Sequence, residues 1–199
     1  MRQVVVIHGG DSFPTYDAYL ANLRDKTIDL DRYRPHPDWK THLPEALGAE
    51  YDILMPRMPN ATNARYTEWA LLFGKIAPLL DEEVILVGHS LGAVFLARYL
   101  SEHRFPVRIA ATFLLAAPYD AAGDLSEEFT APASLDLLAK QGGKIFLYHS
   151  EDDLVVPFAE LAKYQAALPS ATACTFSDRG HFFGQSSFPE LVADIKNLS

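Results

Sequence analysis

The stretch Val84-Ile-Leu-Val-Gly-His-Ser-Leu-Gly92 decides the fold of this chain. Its first four residues form a short, wholly apolar run, which predicts a strand buried on both faces of a sheet. A serine with a glycine two positions away on either side follows, and 93–100 then has a helical pattern. Strand, tight turn and helix around G-x-S-x-G are typical of a nucleophile elbow, which holds the serine hydroxyl clear of the sheet edge.

Each residue type in this turn has a physical role. Side chains at positions 88 and 92 would collide with the neighbouring helix and strand, which glycine avoids. The turn holds Ser90 in a strained backbone conformation. The N–H of Leu91 opens a helix N-terminus, where the positive end of the dipole favours a developing oxyanion. The alternative is a glycine-bounded turn whose serine only caps the helix.

The composition indicates one globular domain over residues 1–199, since 49% of the residues are hydrophobic and 22% are charged. The net charge is −9 without a basic stripe, which argues against nucleic acids and anionic membranes as partners. Cys174 is the one cysteine, so no intrachain disulfide forms, and we interpret it as a small core residue. Without a signal peptide or an apolar run of about 20 residues, we expect a cytoplasmic protein.

Strand-like and helical patterns alternate along the whole chain. This alternation predicts a mainly parallel sheet with helices on both faces, a three-layer α/β sandwich. With right-handed crossovers, the six strands take the order 2-1-3-4-5-6. The predicted strands are 4–7, 53–55, 84–87, 109–117, 144–149 and 171–176, and the predicted helices are 16–26, 37–47, 67–80, 93–100, 134–140, 158–168 and 188–198.

The segment 11–37 is a long connection after the first predicted strand. It contains a helical pattern and then a charged, aromatic and proline-broken stretch. Connections of this length are more often functional or mobile than incidental. We predict a partial lid or a pocket wall here, with surface decoration as the alternative.

Polar residues at three predicted strand ends suggest a catalytic triad. Ser90, Asp153 and His181 follow one another in the chain order of α/β-hydrolase triads. A serine hydroxyl needs a neighbouring base, which His181 supplies, and Asp153 would fix the tautomer of the imidazole. Asp152 is the alternative acid. His89 is predicted to pack on a neighbouring strand rather than to react.

The surroundings of this triad are also predicted. The N–H groups of Leu91 and Gly10 form the oxyanion hole. No H-E-x-x-H spacing and no G-x-G-x-x-G spacing occurs, so we predict neither a metal nor a cofactor. Aromatic and methionine side chains flank the strand ends and form an apolar acyl pocket, with plain core packing as the alternative. These side chains are Phe13, Met58, Tyr119, Phe182 and Phe183.

Six stretches of the sequence together resemble a known family: 4–10, 51–59, 67–73, the Gly-His-Ser-Leu-Gly elbow, 153–157 and 180–181. The chain is similar to the small, lidless α/β-hydrolases of the retinoblastoma-binding serine hydrolase type. The resemblance implies a reduced sheet that lacks the two leading strands, and a serine hydrolase without a cofactor. It also implies Ser90 as nucleophile, Asp153 as acid and His181 as base. The segment 11–37 looks longer than is usual in the family.

These observations predict a serine hydrolase that cleaves small-molecule carboxylic esters of small or medium acyl groups through an acyl-enzyme intermediate. Amidase or thioesterase activity would use the same triad. A protein of the same fold that binds a partner without catalysis is the alternative from a different class, because fold alone does not establish function.

Overall fold

A computed structural model of the chain describes residues 1–120 and 125–198, with the backbone alone at Arg32. Six strands in these residues form one sheet. They are β1 (Arg2–Ile7), β2 (Tyr51–Leu54), β3 (Glu83–His89), β4 (Arg108–Leu115), β5 (Lys144–Ser150) and β6 (Thr172–Phe176). Every neighbouring pair is parallel, and the order β2-β1-β3-β4-β5-β6 confirms the predicted topology.

Seven α-helices cover this sheet in the described residues, together with short 3-10 helices at Leu30–Tyr33, Ala77–Leu79 and Glu127–Phe129. None of these helices combines the length and the apolar character that crossing a bilayer would need. The α-helices are α1 (Tyr16–Asp25), α2 (Trp39–Leu47), α3 (Tyr66–Ile76), α4 (Leu91–Glu102), α5 (Asp136–Gln141), α6 (Ala159–Ala167) and α7 (Pro189–Lys196).

Two hydrophobic cores lie on opposite faces of the sheet. Helices α3, α4, α5 and α6 bury apolar side chains in one core, and α2 and α7 do so in the other. Successive residues of a strand point to opposite faces, so Val5 contributes to the first core while Val4 and Val6 contribute to the second. In β3 the whole run from Val84 to Val87 is buried, as its sequence predicts. The result is a three-layer sandwich.

Two element ends differ from the sequence prediction for local reasons. β4 was predicted to continue to Ala117 but ends at Leu115, because Ala116 has a φ of 48° and leaves the extended region. The α-helical part of 67–80 ends at Ile76 and continues as the 3-10 helix that contains Pro78. The β4 end lies at the carboxyl edge of the sheet, where the site is, and the 3-10 helix leads into the start of β3 at the opposite edge.

Candidate active site

Ser90 stands between β3 and α4 in a conformation that few serines adopt. Its φ is 56° and its ψ is −121°, in a region that costs a non-glycine residue about 1–3 kcal/mol. The backbone N–H of Ser90 donates to the carbonyl of Leu115 at 2.8 Å, which ties the turn to β4. Although Ser90 occupies the N-cap position of α4, its side chain makes no capping hydrogen bond. The alternative role as a helix cap therefore lacks its defining contact.

The two glycines of the turn allow the backbone to pack closely. A β-carbon at position 88 would lie 2.6 Å from the α-carbon of Ala93, inside α4. A β-carbon at position 92 would lie 2.3 Å from the carbonyl oxygen of Ile7, at the end of β1. The collisions predicted from the sequence are thereby confirmed, since both contacts involve backbone atoms that have little freedom to move.

Asp153 and His181 form a buried, hydrogen-bonded pair at the ends of β5 and β6. The Nδ1 atom of His181 lies 2.7 Å from Oδ2 of Asp153. The other carboxylate oxygen accepts hydrogen bonds from the N–H groups of Val155 and Val156 at 2.8 and 2.9 Å. Burial by itself would raise the pKa of Asp153, but these hydrogen bonds outweigh it, and the pKa lies below its ordinary value. The carboxylate is therefore charged at neutral pH.

Asp152, the alternative acid, faces away from this pair. Its Oδ1 atom accepts from the hydroxyl of Ser150 and from the N–H of Gly180, at 2.9 Å for the latter. These hydrogen bonds lower the pKa of Asp152, which is exposed to solvent. The geometry thus places Asp153, and not Asp152, against the imidazole, while Asp152 fastens the loop that carries His181.

The neighbour of the serine in the elbow, His89, connects this turn to His181. The Nε2 atom of His89 lies 2.8 Å from the carbonyl oxygen of His181, to which it donates, and the two rings are 5.1 Å apart. Burial lowers the pKa of His89 well below its ordinary value, so this ring is neutral. The elbow and the His181 loop are therefore held together by a residue that was predicted to have only a packing role.

The second nitrogen of the His181 ring is available. Its Nε2 atom is buried and has no hydrogen-bond partner in the described parts of the chain. A buried polar atom without a partner costs free energy, so such an atom calls for an explanation. Ser90 makes no hydrogen bond to this nitrogen in the described residues, so a nucleophile or a substrate that reaches Nε2 would supply the missing contact.

A cavity of about 230 Å³, the Ser90 cavity, opens beside the elbow. Ser90 lines it together with Leu91 and Gly10, the two residues predicted to form the oxyanion hole. The segment 11–37 contributes part of the wall, including Asn22 from α1, a residue that the sequence pattern did not single out. The other lining residues are Asp11, Ser12, Phe13, Pro118, Leu125, Val155 and Val156.

Of the five predicted acyl-pocket side chains, one lines this cavity, three pack in or against the core, and Phe183 is exposed outside the cavity lining. Phe13 lines the cavity. Phe182 is fully buried and stacks on Phe188 in a core cluster, and Met58 is buried in the other core, so neither lines the cavity as predicted. Tyr119 is half-buried and packs edge-on against Tyr164, also away from the cavity lining. The strand-end position of these side chains does not fix which way they point.

The chemistry of the site is that of organic side chains. In residues 1–120 and 125–198, no group of three or more His, Cys, Asp or Glu side chains is arranged to hold a metal ion. What the arrangement offers is a serine on a strained turn, a helix N-terminus beside it, and a buried histidine–carboxylate pair. Such a set can deliver a nucleophile, a base and donors for an oxyanion.

Comparison with known proteins identifies the family. The model of a family described as "Serine hydrolase" matches residues 32–198. The chain belongs to the serine hydrolase family. Among the curated relatives of this serine hydrolase is the rat (Rattus norvegicus) serine hydrolase RBBP9, which is 30% identical over 152 residues, covering 74% of this chain and 78% of the relative. The resemblance seen in the sequence is therefore confirmed.

Solved structures agree on the fold of this serine hydrolase. The ydeN gene product of B. subtilis superposes with a TM-score of 0.78 at 21% identity, covering 100% of this chain and 98% of that one. A thioesterase domain from the curacin biosynthetic pathway superposes with a TM-score of 0.65 at 15% identity, covering 98% and 91%. At these identities the likeness shows the α/β-hydrolase fold alone.

Proposed function

We propose that this serine hydrolase cleaves carboxylic esters of small or medium acyl groups, with Ser90 as nucleophile, His181 as base and Asp153 as the supporting acid. The observation that carries this proposal is the His181 imidazole, which Asp153 holds at Nδ1 while the buried Nε2 has no partner among the described residues. Because the Nδ1–H of the ring donates to the Asp153 carboxylate, the lone pair of Nε2 remains free to accept a proton.

The reaction then has two stages. In the first, Nε2 of His181 takes the proton of Ser90, and Oγ bonds to the carbonyl carbon of the ester. His181 then gives this proton to the oxygen of the alcohol, which leaves. In the second, the same nitrogen deprotonates a water molecule, which releases the acid and restores Ser90. Asp153 stays charged throughout and stabilises the imidazolium that forms in each stage.

The N–H groups of Gly10 and Leu91 are the proposed donors to the oxyanion. Leu91 is the first residue of α4, and the first N–H groups of a helix have no partner within the helix. Gly10 approaches from the loop after β1, where a β-carbon would lie 2.3 Å from the carbonyl oxygen of Ala61. Glycine at this position therefore allows the loop to pack against the segment after β2, while the same β-carbon would lie 3.4 Å from Cδ2 of Leu91 in the elbow.

The size of the Ser90 cavity supports a small or medium acyl group. Its volume of about 230 Å³ exceeds the roughly 150 Å³ that accommodates benzene in a protein interior. Phe13, Leu125 and Val156 give the cavity apolar walls, which suit an alkyl or aryl chain. The cavity has room for a compact acyl group.

Labelling with a fluorophosphonate probe, followed by peptide mass spectrometry, tests the nucleophile. We expect the adduct on Ser90, and we expect Ser90→Ala to lose both labelling and ester hydrolysis. Ser101→Ala is the matched control, because this serine lies on the same α4 helix and its hydroxyl donates to the carbonyl of Ala97. Labelling that survives in Ser90→Ala, or that maps elsewhere, would refute the proposal.

A substrate panel separates the related activities. p-Nitrophenyl esters of increasing acyl length, acyl-CoA thioesters and anilides would be compared by kcat/KM, and we expect short esters to rank first. If thioesters or anilides rank first, the proposed triad stands, but the bond that the protein cleaves is a thioester or an amide and not an ester. Failure of every substrate, with unchanged binding of a protein partner in Ser90→Ala, would favour the non-catalytic alternative.

A further inference from the structure

A second concave surface lies next to the Ser90 cavity and has no role in the mechanism described so far. We call it the Phe183 groove, and its volume is about 650 Å³. It is lined by His36, Pro37, Asp38, Val155, Phe183 and Gly184. Two of its apolar side chains are strongly exposed, Val155 at 57% and Phe183 at 64%. Exposed apolar side chains that share one groove are a common mark of a binding surface.

The Phe183 groove and the Ser90 cavity share one lining residue. Val155 lines both the Ser90 cavity and the Phe183 groove, so the two are adjacent. The backbone of Val155 is fixed, because its N–H donates to Asp153 at 2.8 Å. The division between the two spaces is therefore built onto the same loop that holds the supporting acid.

One lining residue of the groove, Phe183, contacts the histidine. The Phe183 ring stands edge-on to the His181 ring with centroids 4.8 Å apart, and it is 5.4 Å from the His89 ring at 90°. The backbone keeps it there, since Gly180, Phe182 and Gly184 all have positive φ, between 50° and 67°. Such a conformation is strained for Phe182, whose side chain is locked into the core by burial.

We propose that the Phe183 groove binds the leaving group of the ester, and that this leaving group is an apolar, preferably aromatic, alcohol. The assignment rests on the proposed function, in which His181 returns its proton to the departing oxygen. That oxygen must lie beside His181, and Phe183, whose ring packs edge-on against the His181 ring, lines the groove. The acyl group then occupies the Ser90 cavity, next to Gly10 and Leu91.

The atoms of the step balance without a co-reactant other than water. The bond from Ser90 Oγ to the acyl carbon forms, the bond from that carbon to the alcohol oxygen breaks, and the proton of Ser90 passes through His181 to the alcohol. Water then cleaves the acyl-enzyme. Since the alcohol has already left, contacts between the groove and the leaving group act in acylation and not in deacylation.

The test uses esters that share one acyl group. Phenyl acetate and 2-naphthyl acetate release alcohols of similar acidity but different apolar area. We expect the unaltered protein to hydrolyse the naphthyl ester with the higher kcat/KM. Phe183→Ala should reduce that preference by about tenfold, because the naphthyl ring loses apolar contacts in the groove. Phe183→Leu restores part of the preference. Leu154→Ala is the control, because Leu154 is 98% exposed and lines neither space.

Three further measurements decide between the explanations. The preference between phenyl acetate and phenyl butanoate should be unchanged in Phe183→Ala. If kcat/KM falls equally for both acetates in Phe183→Ala and its pH profile shifts, Phe183 only positions His181. That result overturns the assignment. A changed acyl preference, or no naphthyl preference in the unaltered protein, also overturns it. Fluorophosphonate labelling of Ser90 in the same samples shows whether the proposed function itself stands, since its absence would refute both.

Discussion

The Nδ1 atom of His181 lies 2.7 Å from Oδ2 of Asp153, and the exposed fractions of the two side chains are 2% and 0%. Although the residues come from loops after different strands, the parallel sheet brings both strand ends to one edge. A buried carboxylate must be satisfied by hydrogen bonds, and Asp153 accepts them from His181 and from two backbone N–H groups. The orientation of the imidazole is therefore set before any substrate arrives.

Asp153→Asn should lower kcat for ester hydrolysis by about 10⁴-fold with the fold retained. The amide NH₂ of asparagine can donate to Nδ1, which then no longer carries the proton. The proton moves to Nε2, so the lone pair that accepts the serine proton is lost. Steady-state kinetics with p-nitrophenyl acetate measures the loss, and circular dichroism monitors the fold.

The neighbouring acid gives a matched control for this variant. Asp152 accepts from Ser150 and Gly180 and does not contact the imidazole. We expect Asp152→Asn to keep kcat within about tenfold, because it loosens the His181 loop without changing the partner of the ring. Equal losses in the two variants would contradict the assignment of Asp153.

Gly92→Ala should lower the free energy of unfolding by about 1–3 kcal/mol or more, because the added methyl meets the carbonyl oxygen of Ile7 at 2.3 Å. Gly74→Ala is the contrasting variant, since its methyl would meet only the hydroxyl of the Tyr99 side chain, at 3.3 Å. Inside helix α3 that change should be neutral or stabilising by up to about 1 kcal/mol. Urea denaturation of the two variants measures the difference. Equal stability would show that the elbow tolerates a side chain.

Stability should fall in mildly acidic solution because of His89. Burial lowers the pKa of this ring well below 6.5, so below that pH the unfolded chain binds a proton that the folded chain excludes. The free energy of unfolding should therefore decrease as the pH falls from about 6.5, by at most about 1.4 kcal/mol per pH unit for one such group. His89→Gln should flatten this slope and the exposed His42→Gln should not. Denaturation curves at pH 5 to 7.5 test this, and an unchanged slope in His89→Gln would contradict it.

The helix α1 should be the least protected α-helix in hydrogen exchange. It buries no residue, while α4 buries nine, so its opening breaks few contacts. Asn22 nevertheless lines the Ser90 cavity, and a bound ligand would add contacts there. If the segment 11–37 acts as a partial lid, as we propose, phosphonylation of the protein should slow exchange in α1. Equal exchange with and without the adduct would favour surface decoration instead.

The sequence predicts the architecture well because the signals for it are local. The apolar runs at Val4 and Val84 define central strands, and the alternation with helical patterns fixes a parallel sheet of known handedness. Glycines at 88 and 92 reflect contacts with backbone atoms, which only a small residue allows. The apolar runs, the helical patterns and the G-x-S-x-G spacing are each visible in a short stretch of sequence, so they can be read without coordinates.

The direction of single side chains at the sheet edge could not be read in this way. Phe182 and Phe183 are adjacent, yet the first is fully buried and the second is 64% exposed, because the positive φ of Phe182 turns the chain between them. Asn22 lies on a helix with an exposed pattern but reaches a cavity formed by distant loops. Such placements depend on contacts between remote segments, which periodicity does not encode.

The most direct test of the central claim is a crystal structure of the protein after reaction with a phosphonate ester. We expect phosphorus bonded to Oγ of Ser90, one phosphoryl oxygen about 2.7–3.1 Å from the N–H groups of Gly10 and Leu91, and Nε2 of His181 facing the adduct. Phosphorus on another residue, or His181 separated from Asp153 and turned away from Ser90, would contradict it.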